Sequence, residues 1–270
     1  MARLRNLWHS IFSVADLAAR HRCSGYNSAY RSDARSVEEY LAEWRDNVAA
    51  ARTDLDGPRA QHIIEGNSPF VLKPDTPERP QRGILMVHGL SDSAFLVREI
   101  GEFFRQQGFY VFAMLLPGHG TRPGDLLEIR WQDWLQAHQH ALDLLSEEVD
   151  DIYLLGFSAG AALNIYQALH HSTIKALFLF SPALRVRRLA ALACPPAPRR
   201  QWRTQNRKRV ASNVRFKGHK EAILALAALS RRGVQAKLHL VGPGETDWIR
   251  EIARAQGVTD ALVLHGKLPA

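Results

Sequence analysis

The chain has 270 residues, 46% of them hydrophobic and 9% aromatic, with a formal net charge of +8. This composition excludes a disordered or fibrous polypeptide and allows one large core or two small ones. The charge is not spread over a binding face: residues 185–209 (RVRRLAALACPPAPRRQWRTQNRKR) hold nine Arg or Lys and no Asp or Glu, leaving the remainder at −1, so the basicity marks a solvated junction and no nucleic-acid partner is expected.

In chain order, the opening MARLRNLWHSIFSVADLAAR starts basic, but Asp16 and several polar residues break the apolar run that a signal peptide needs. No stretch approaches the roughly 18 consecutive apolar residues of a membrane span. Cys23 and Cys194 match no metal-ligand or CxxC spacing, so they read as free thiols in a reducing compartment, the cytoplasm, and no metal site is expected. Ser36 followed by Glu39 has capping-box spacing, and Tyr40, Leu41, Trp44 and Val48 then fall on one helical face. This helix reads as a packing element within an N-terminal helical segment, residues 1–60.

From Gly83 onward, apolar runs of strand length alternate with helical patterns: GILMVHG, FLVREIGEFFRQQG, YVFAMLLPG, WLQAHQHALDLLSEEV, DIYLLGF, AGAALNIYQALHH and KALFLFSPA. Four continuous apolar strands separated by three helices predict an α/β fold with a doubly wound, mostly parallel sheet buried on both faces. That core occupies residues 61–184. After the junction the alternation resumes over 210–270 as a small Rossmann-like α/β segment.

Three motifs carry the chemistry. Gly156-Phe157-Ser158-Ala159-Gly160 fits G-x-S-x-G, directly after the strand run from Asp151 and directly before a helical run. In this context the glycines give room for a tight strand-to-helix turn that holds a serine hydroxyl clear of the sheet, so Ser158 is the candidate nucleophile. His88-Gly89-Leu90 closes an earlier strand, and its loop offers the Leu90 amide to pair with the Ala159 amide as an oxyanion hole. His88 itself reads as a brace for the turn. The third motif is LPGHGTRPGDL, Leu116 to Leu126, followed by Trp131 and Trp134 at helical spacing.

Together these motifs, in this order, resemble the α/β-hydrolases, and among them the bacterial monoacylglycerol lipase and carboxylesterase group, kin to the serine aminopeptidase-like hydrolases. The resemblance covers about Pro69 to Leu184. It implies ester chemistry without a cofactor: Ser158 attacks an acyl ester, Leu90 and Ala159 stabilise the oxyanion, and a histidine relays the proton.

The triad order of that fold, Ser then acid then His, places both partners after residue 158. From Ala159 through Lys220 there is no acidic residue. Glu245 and Asp247 follow the strand AKLHLVG, where a triad acid belongs, and Asp247 with His265, which follows ALVL, would complete a triad, but only 18 positions separate those two. That interval must hold a loop, a helix and a strand. A second resemblance competes for the tail: Val210 to Pro269 is similar to part of the C-terminal domain of GT-B type glycosyltransferases. It implies that Lys217 contacts the phosphate of a nucleotide sugar. The sequence thus predicts a composite in which Ser158 serves a carboxylic-ester hydrolase, with weak turnover. The alternatives are a nucleotide-sugar-binding fragment and a catalytically dead interaction protein. If the composite reading holds, the strands at 236–241 and 261–264 form a separate sheet.

Overall fold

The computed structural model describes residues 22–75, 79–171, 173–183, 219–233, 236–241 and 245–266. The basic junction, Cys194, Lys217 and residues 1–21 lie outside these. The main sheet contains β1 (Phe70–Leu72), β2 (Arg82–Val87), β3 (Phe109–Ala113), β4 (Asp151–Phe157) and β5 (Ile174–Phe180), in the order β1-β3-β2-β4-β5. Strands β2 to β5 pair in parallel, and β1 adds antiparallel to the outer edge of β3. The four long apolar runs therefore form one sheet, as their pattern predicts. Only β1 is unanticipated, because three residues are too few to show a periodicity.

Helices cover both faces: α1 (Val37–Ala51), α2 (Ala60–Asn67), α3 (Arg98–Gln106), α4 (Trp131–Glu148) and α5 (Ala159–Ala168). Alternate residues of β2 enter different cores. Leu85 and Val87 join Phe112, Leu154, Tyr40 of α1, Leu145 of α4 and Ala161 of α5, while Ile84 and Met86 join Val111, Leu155 and Phe104 of α3. Both sets are dry, which is why these strands read as continuous apolar runs.

The strand order also locates the site. The chain steps from β2 outward to β3, then returns past β2 to β4 and on to β5. Such a reversal opens a crevice at the carboxyl ends of the two central strands. His88-Gly89-Leu90 follows β2 there, and Ser158 follows β4.

Residues 23–51 pack onto this end of the molecule. Ser36 caps α1 by accepting the Glu39 amide at 3.1 Å, and Tyr40, Trp44 and Val48 are buried against the core. Tyr30 donates to His140 Nδ1 at 2.5 Å, and His140 Nε2 donates to the Ala34 carbonyl at 2.7 Å, so α4 holds the approach to α1. Asp125 makes the firmest tie. Its fully buried carboxylate accepts from the Ser24 amide and hydroxyl, both at 2.6 Å, from Thr121 Oγ1 at 2.6 Å, and from the Cys23 thiol and the Gly25 and Arg122 amides. Burial pushes its pKa up, but the Ser24 and Thr121 donors outweigh that and hold it below the usual carboxylate range. Asn27 adds a further clasp, donating to the His119 carbonyl at 2.7 Å while its own carbonyl accepts the Gly118 amide at 2.9 Å.

Replacing Asp125 by Asn converts an acceptor of six donors into a group that must also place an NH2 among them. The expected cost is about 2 kcal/mol, the scale for strained or lost bonds to a buried charge. It should appear as a lower urea midpoint together with faster amide exchange over residues 24–27; unchanged exchange there would show that Asp125 is not what holds the segment.

Beyond the junction lie α6 (His219–Arg231), β6 (Leu238–Val241), α7 (Asp247–Ala255) and β7 (Leu262–Gly266). Strands β6 and β7 pair in parallel as a two-stranded sheet of their own, as the composite reading expects. They are not remote from the main sheet. The His239 ring of β6 lies 5.8 Å from that of Phe178 of β5, and Leu238, Leu240 and Ile249 belong to the same buried cluster as Leu177 and Leu179.

Candidate active site

Strand β4 ends at Gly156 and Phe157, and Ser158 then turns the chain into α5 with φ 52° and ψ −107°. A side chain at positive φ costs roughly 1–3 kcal/mol and persists only where its surroundings enforce it. The enforcing contacts are backbone ones. The Ser158 amide donates to the Phe180 carbonyl at 2.8 Å, and its carbonyl accepts from Ala183 at 3.1 Å and Ala162 at 3.3 Å. The two motif glycines make the turn fit. A Cβ on Gly156 would sit 2.5 Å from the backbone of Ala161; one on Gly160 would lie 2.6 Å from the His88 carbonyl oxygen and closer still to that of Val87. The elbow is thus pressed directly against the end of β2.

This contact brings the second motif beside the serine. A Cβ on Gly89 would lie 3.4 Å from Ser158 Cβ and 3.6 Å from the Phe157 ring. The loop carrying Gly89 is braced by two histidines. Buried His88 accepts the Leu116 amide on Nε2 at 3.1 Å, so its Nδ1 carries the proton and donates to the Gly89 carbonyl at 2.8 Å. Burial, with nearby His119 acting the same way, lowers the His88 pKa to about 3, so the ring stays neutral. The structural role read for His88 from its loop position is the one seen. Because the Gly89–Leu90 peptide is trans, anchoring its carbonyl on His88 and on the Asp92 amide turns the Leu90 N–H the opposite way.

His119, from the PGHG motif, was not singled out by the sequence for this site, yet it clamps the same loop. Its Nε2 lies 2.7 Å from the Leu90 carbonyl and its Nδ1 3.0 Å from that of Pro117, which also accepts from Trp134 Nε1 at 2.9 Å. Among the described residues, the Leu90 and Ala159 amides meet no hydrogen-bond acceptor. For Ala159 this follows from its place as the first residue of α5, where backbone donors have no partner inside the helix. Among the described residues, the strained, half-buried serine thus lies next to the Ala159 donor and beside the turn that carries Leu90.

The tail residues are placed differently. Asp247 is exposed in the first turn of α7, and His265 is exposed inside β7 with Nε2 on His239 Nδ1 at 2.8 Å, their rings stacked at 5.1 Å. The interval between them is consumed by α7, a 3-10 turn (Thr259–Ala261) and β7 itself, so no loop is left to carry His265 toward Ser158. No hydrogen bond joins an imidazole to the Ser158 hydroxyl among the described residues. His239, whose pKa burial lowers, with His265 and Lys237 adding to the effect, is the partner that sequence reasoning missed; its signal was the matched placing of His239 and His265 in neighbouring strand runs.

Comparison with known proteins gives the family. The model of the family described as "Serine aminopeptidase, S33" matches residues 78–265. A thermostable monoacylglycerol lipase from Bacillus sp. (strain H-257) is 27% identical over 129 residues, 48% of this chain and 50% of that protein. A carboxylesterase from Bacillus subtilis (strain 168) is 27% identical over 94 residues, 34% of this chain and 38% of the relative. The chain thus spans half the length, or less, of these curated relatives. Among solved structures, one reported for the metagenome-derived lipolytic enzymes LipS and LipT superposes with a TM-score of 0.53 at 20% identity, covering 75% of this chain and 88% of the other.

The family match crosses the junction and runs to His265, which overturns the glycosyltransferase resemblance of the tail. Strand–helix–strand units of any α/β protein share the same local pattern, so that resemblance rested on features that do not discriminate. The chain belongs to the serine aminopeptidase S33 family of α/β-hydrolases.

Proposed function

We propose that the chain is a serine hydrolase of carboxylic esters, of the carboxylesterase or monoacylglycerol lipase type, with Ser158 as nucleophile and the Leu90 and Ala159 amides as oxyanion donors. The observation that carries this reading is the positive-φ serine packed against the Gly89 turn at the end of β2. The names of the two bacterial relatives support the reaction class. In the reaction, Ser158 Oγ adds to the ester carbonyl carbon and the carbonyl π electrons move onto oxygen, where the two amides meet the charge. Collapse expels the alcohol, which leaves with the serine proton, and water then releases the acid from the acyl-enzyme.

An unassisted hydroxyl is a weak nucleophile at neutral pH. With His265 held by His239, catalysis in this geometry comes from the oxyanion hole and substrate positioning, worth about 10³–10⁴ over water. Hydrolysis of acetyl, butyryl and octanoyl p-nitrophenyl esters tests the reading. Slow, saturable turnover indifferent to His265→Ala is expected. Robust turnover abolished by His265→Ala but not by His119→Ala would show the tail supplying the base. No hydrolysis of any ester, with no covalent modification of Ser158, would leave an interaction protein as the better reading.

A further inference from the structure

Asp92 has no part in the chemistry described so far, yet its carboxylate stands beside the Gly89–Ser158 contact. Its Oδ2 lies 2.6 Å from the point where a Gly89 side chain would begin, the point that is also 3.4 Å from Ser158 Cβ. Its backbone amide closes the 89–92 turn on the Gly89 carbonyl at 3.2 Å, which fixes where the side chain starts. Asp92 is half-buried, and among the described residues no hydrogen bond or ion pair reaches its carboxylate. A carboxylate partly withdrawn from water without a donor carries a cost that a ligand supplying one relieves. Burial indeed raises its pKa, an effect that His119 only partly offsets. In the same stretch of chain, Leu90, Phe95 and Leu96 expose apolar side chains.

We infer that Asp92 is a specificity-determining residue that binds a hydrogen-bond donor, hydroxyl or ammonium, on the alcohol side of the ester. Hydrocarbon then meets Leu90, Phe95 and Leu96, and the polar head meets Asp92. The inference rests on the esterase reading above and narrows its substrate class to esters of polyols or amino alcohols.

The test compares glyceryl monobutyrate, dimethylaminoethyl butyrate and methyl butyrate on the full chain, its Asp92→Ala variant and the isosteric Asp92→Asn. One charge-assisted hydrogen bond is worth about tenfold or more, so the kcat/KM ratio of glyceryl over methyl ester should fall at least about tenfold in Asp92→Ala, through KM. Asp92→Asn should show a smaller fall. A loss confined to the dimethylaminoethyl ester would assign the site to ammonium, and one confined to the glyceryl ester to hydroxyl. Glyceryl-over-methyl and dimethylaminoethyl-over-methyl ratios both unchanged within about twofold, or all three esters falling in parallel, would overturn the inference. Calorimetric titration with 1-O-hexylglycerol keeps the question separate from turnover. If the wild-type chain hydrolyses no ester, the esterase reading fails, and weaker binding in Asp92→Ala would still support the recognition role while equal binding would refute it.

Discussion

Ser158→Gly should give a protein that is more stable than the Ser158→Ala variant and chemically silent. The positive φ at this residue costs an alanine as much as a serine, whereas glycine adopts it freely. Relief of about 1–3 kcal/mol, less up to about 1 kcal/mol for the entropy glycine adds to the unfolded chain, leaves a gain of about 1 kcal/mol. At roughly 2–4 °C per kcal/mol for a domain of this size, the glycine variant should melt a few degrees above the alanine variant. Both should lose all acyl-enzyme chemistry, because neither has an oxygen to acylate. Stabilisation and inactivation together are the mark of a residue strained for its reaction. Equal melting temperatures would mean that the turn relaxes in solution and that no strain is held at Ser158.

Acid should destabilise the fold steeply through two buried histidines. His88 is held neutral with its pKa lowered to about 3, by burial first. His138 of α4, fully buried and donating from Nε2 to Asn164 Oδ1 at 2.7 Å, is lowered to about 4, again by burial first. Both folded values lie below the unfolded value near 6.5, so the unfolded chain binds more protons as pH falls. Their contribution is therefore complete above pH about 6.5 and is lost as pH drops toward the folded values. Between pH 6.5 and 5 each costs about 1.6 kcal/mol, or about 3 kcal/mol for the pair, against a total stability of about 5–15 kcal/mol. Half-buried Asp92, with its pKa raised by burial, works in the opposite direction, while Asp125 acts only at lower pH. Urea midpoints measured across this interval should fall sharply, and His138→Gln should reduce the slope by about half. A flat profile would mean that these rings reach water in the folded protein.

The parts of this site that the sequence makes legible are those encoded within a few residues. G-x-S-x-G specifies its own turn, since Gly156 and Gly160 sit where any Cβ would strike backbone. The apolar runs announced the parallel strands because both faces of the sheet are dry. What could not be read are encounters across the chain. Asp125 gathers Ser24 and Thr121 from opposite directions, with about one hundred residues between it and the former, and nothing local to either marks the other. The approach of Asp92 to the Gly89–Ser158 contact depends on a turn whose length, not composition, decides where the carboxylate lands. The tail misled for the opposite reason, since its local pattern is common to many α/β proteins.

The central claim is that Ser158 is the nucleophile, and locating a phosphonate adduct tests it most directly. A fluorophosphonate should lose fluoride to the attacking serine oxygen and leave its phosphonyl group on the chain, found by mass spectrometry of the digested protein on the peptide containing Ser158 and absent from Ser158→Ala. An adduct on another serine, or none after prolonged incubation while a control serine hydrolase is labelled, would contradict the account.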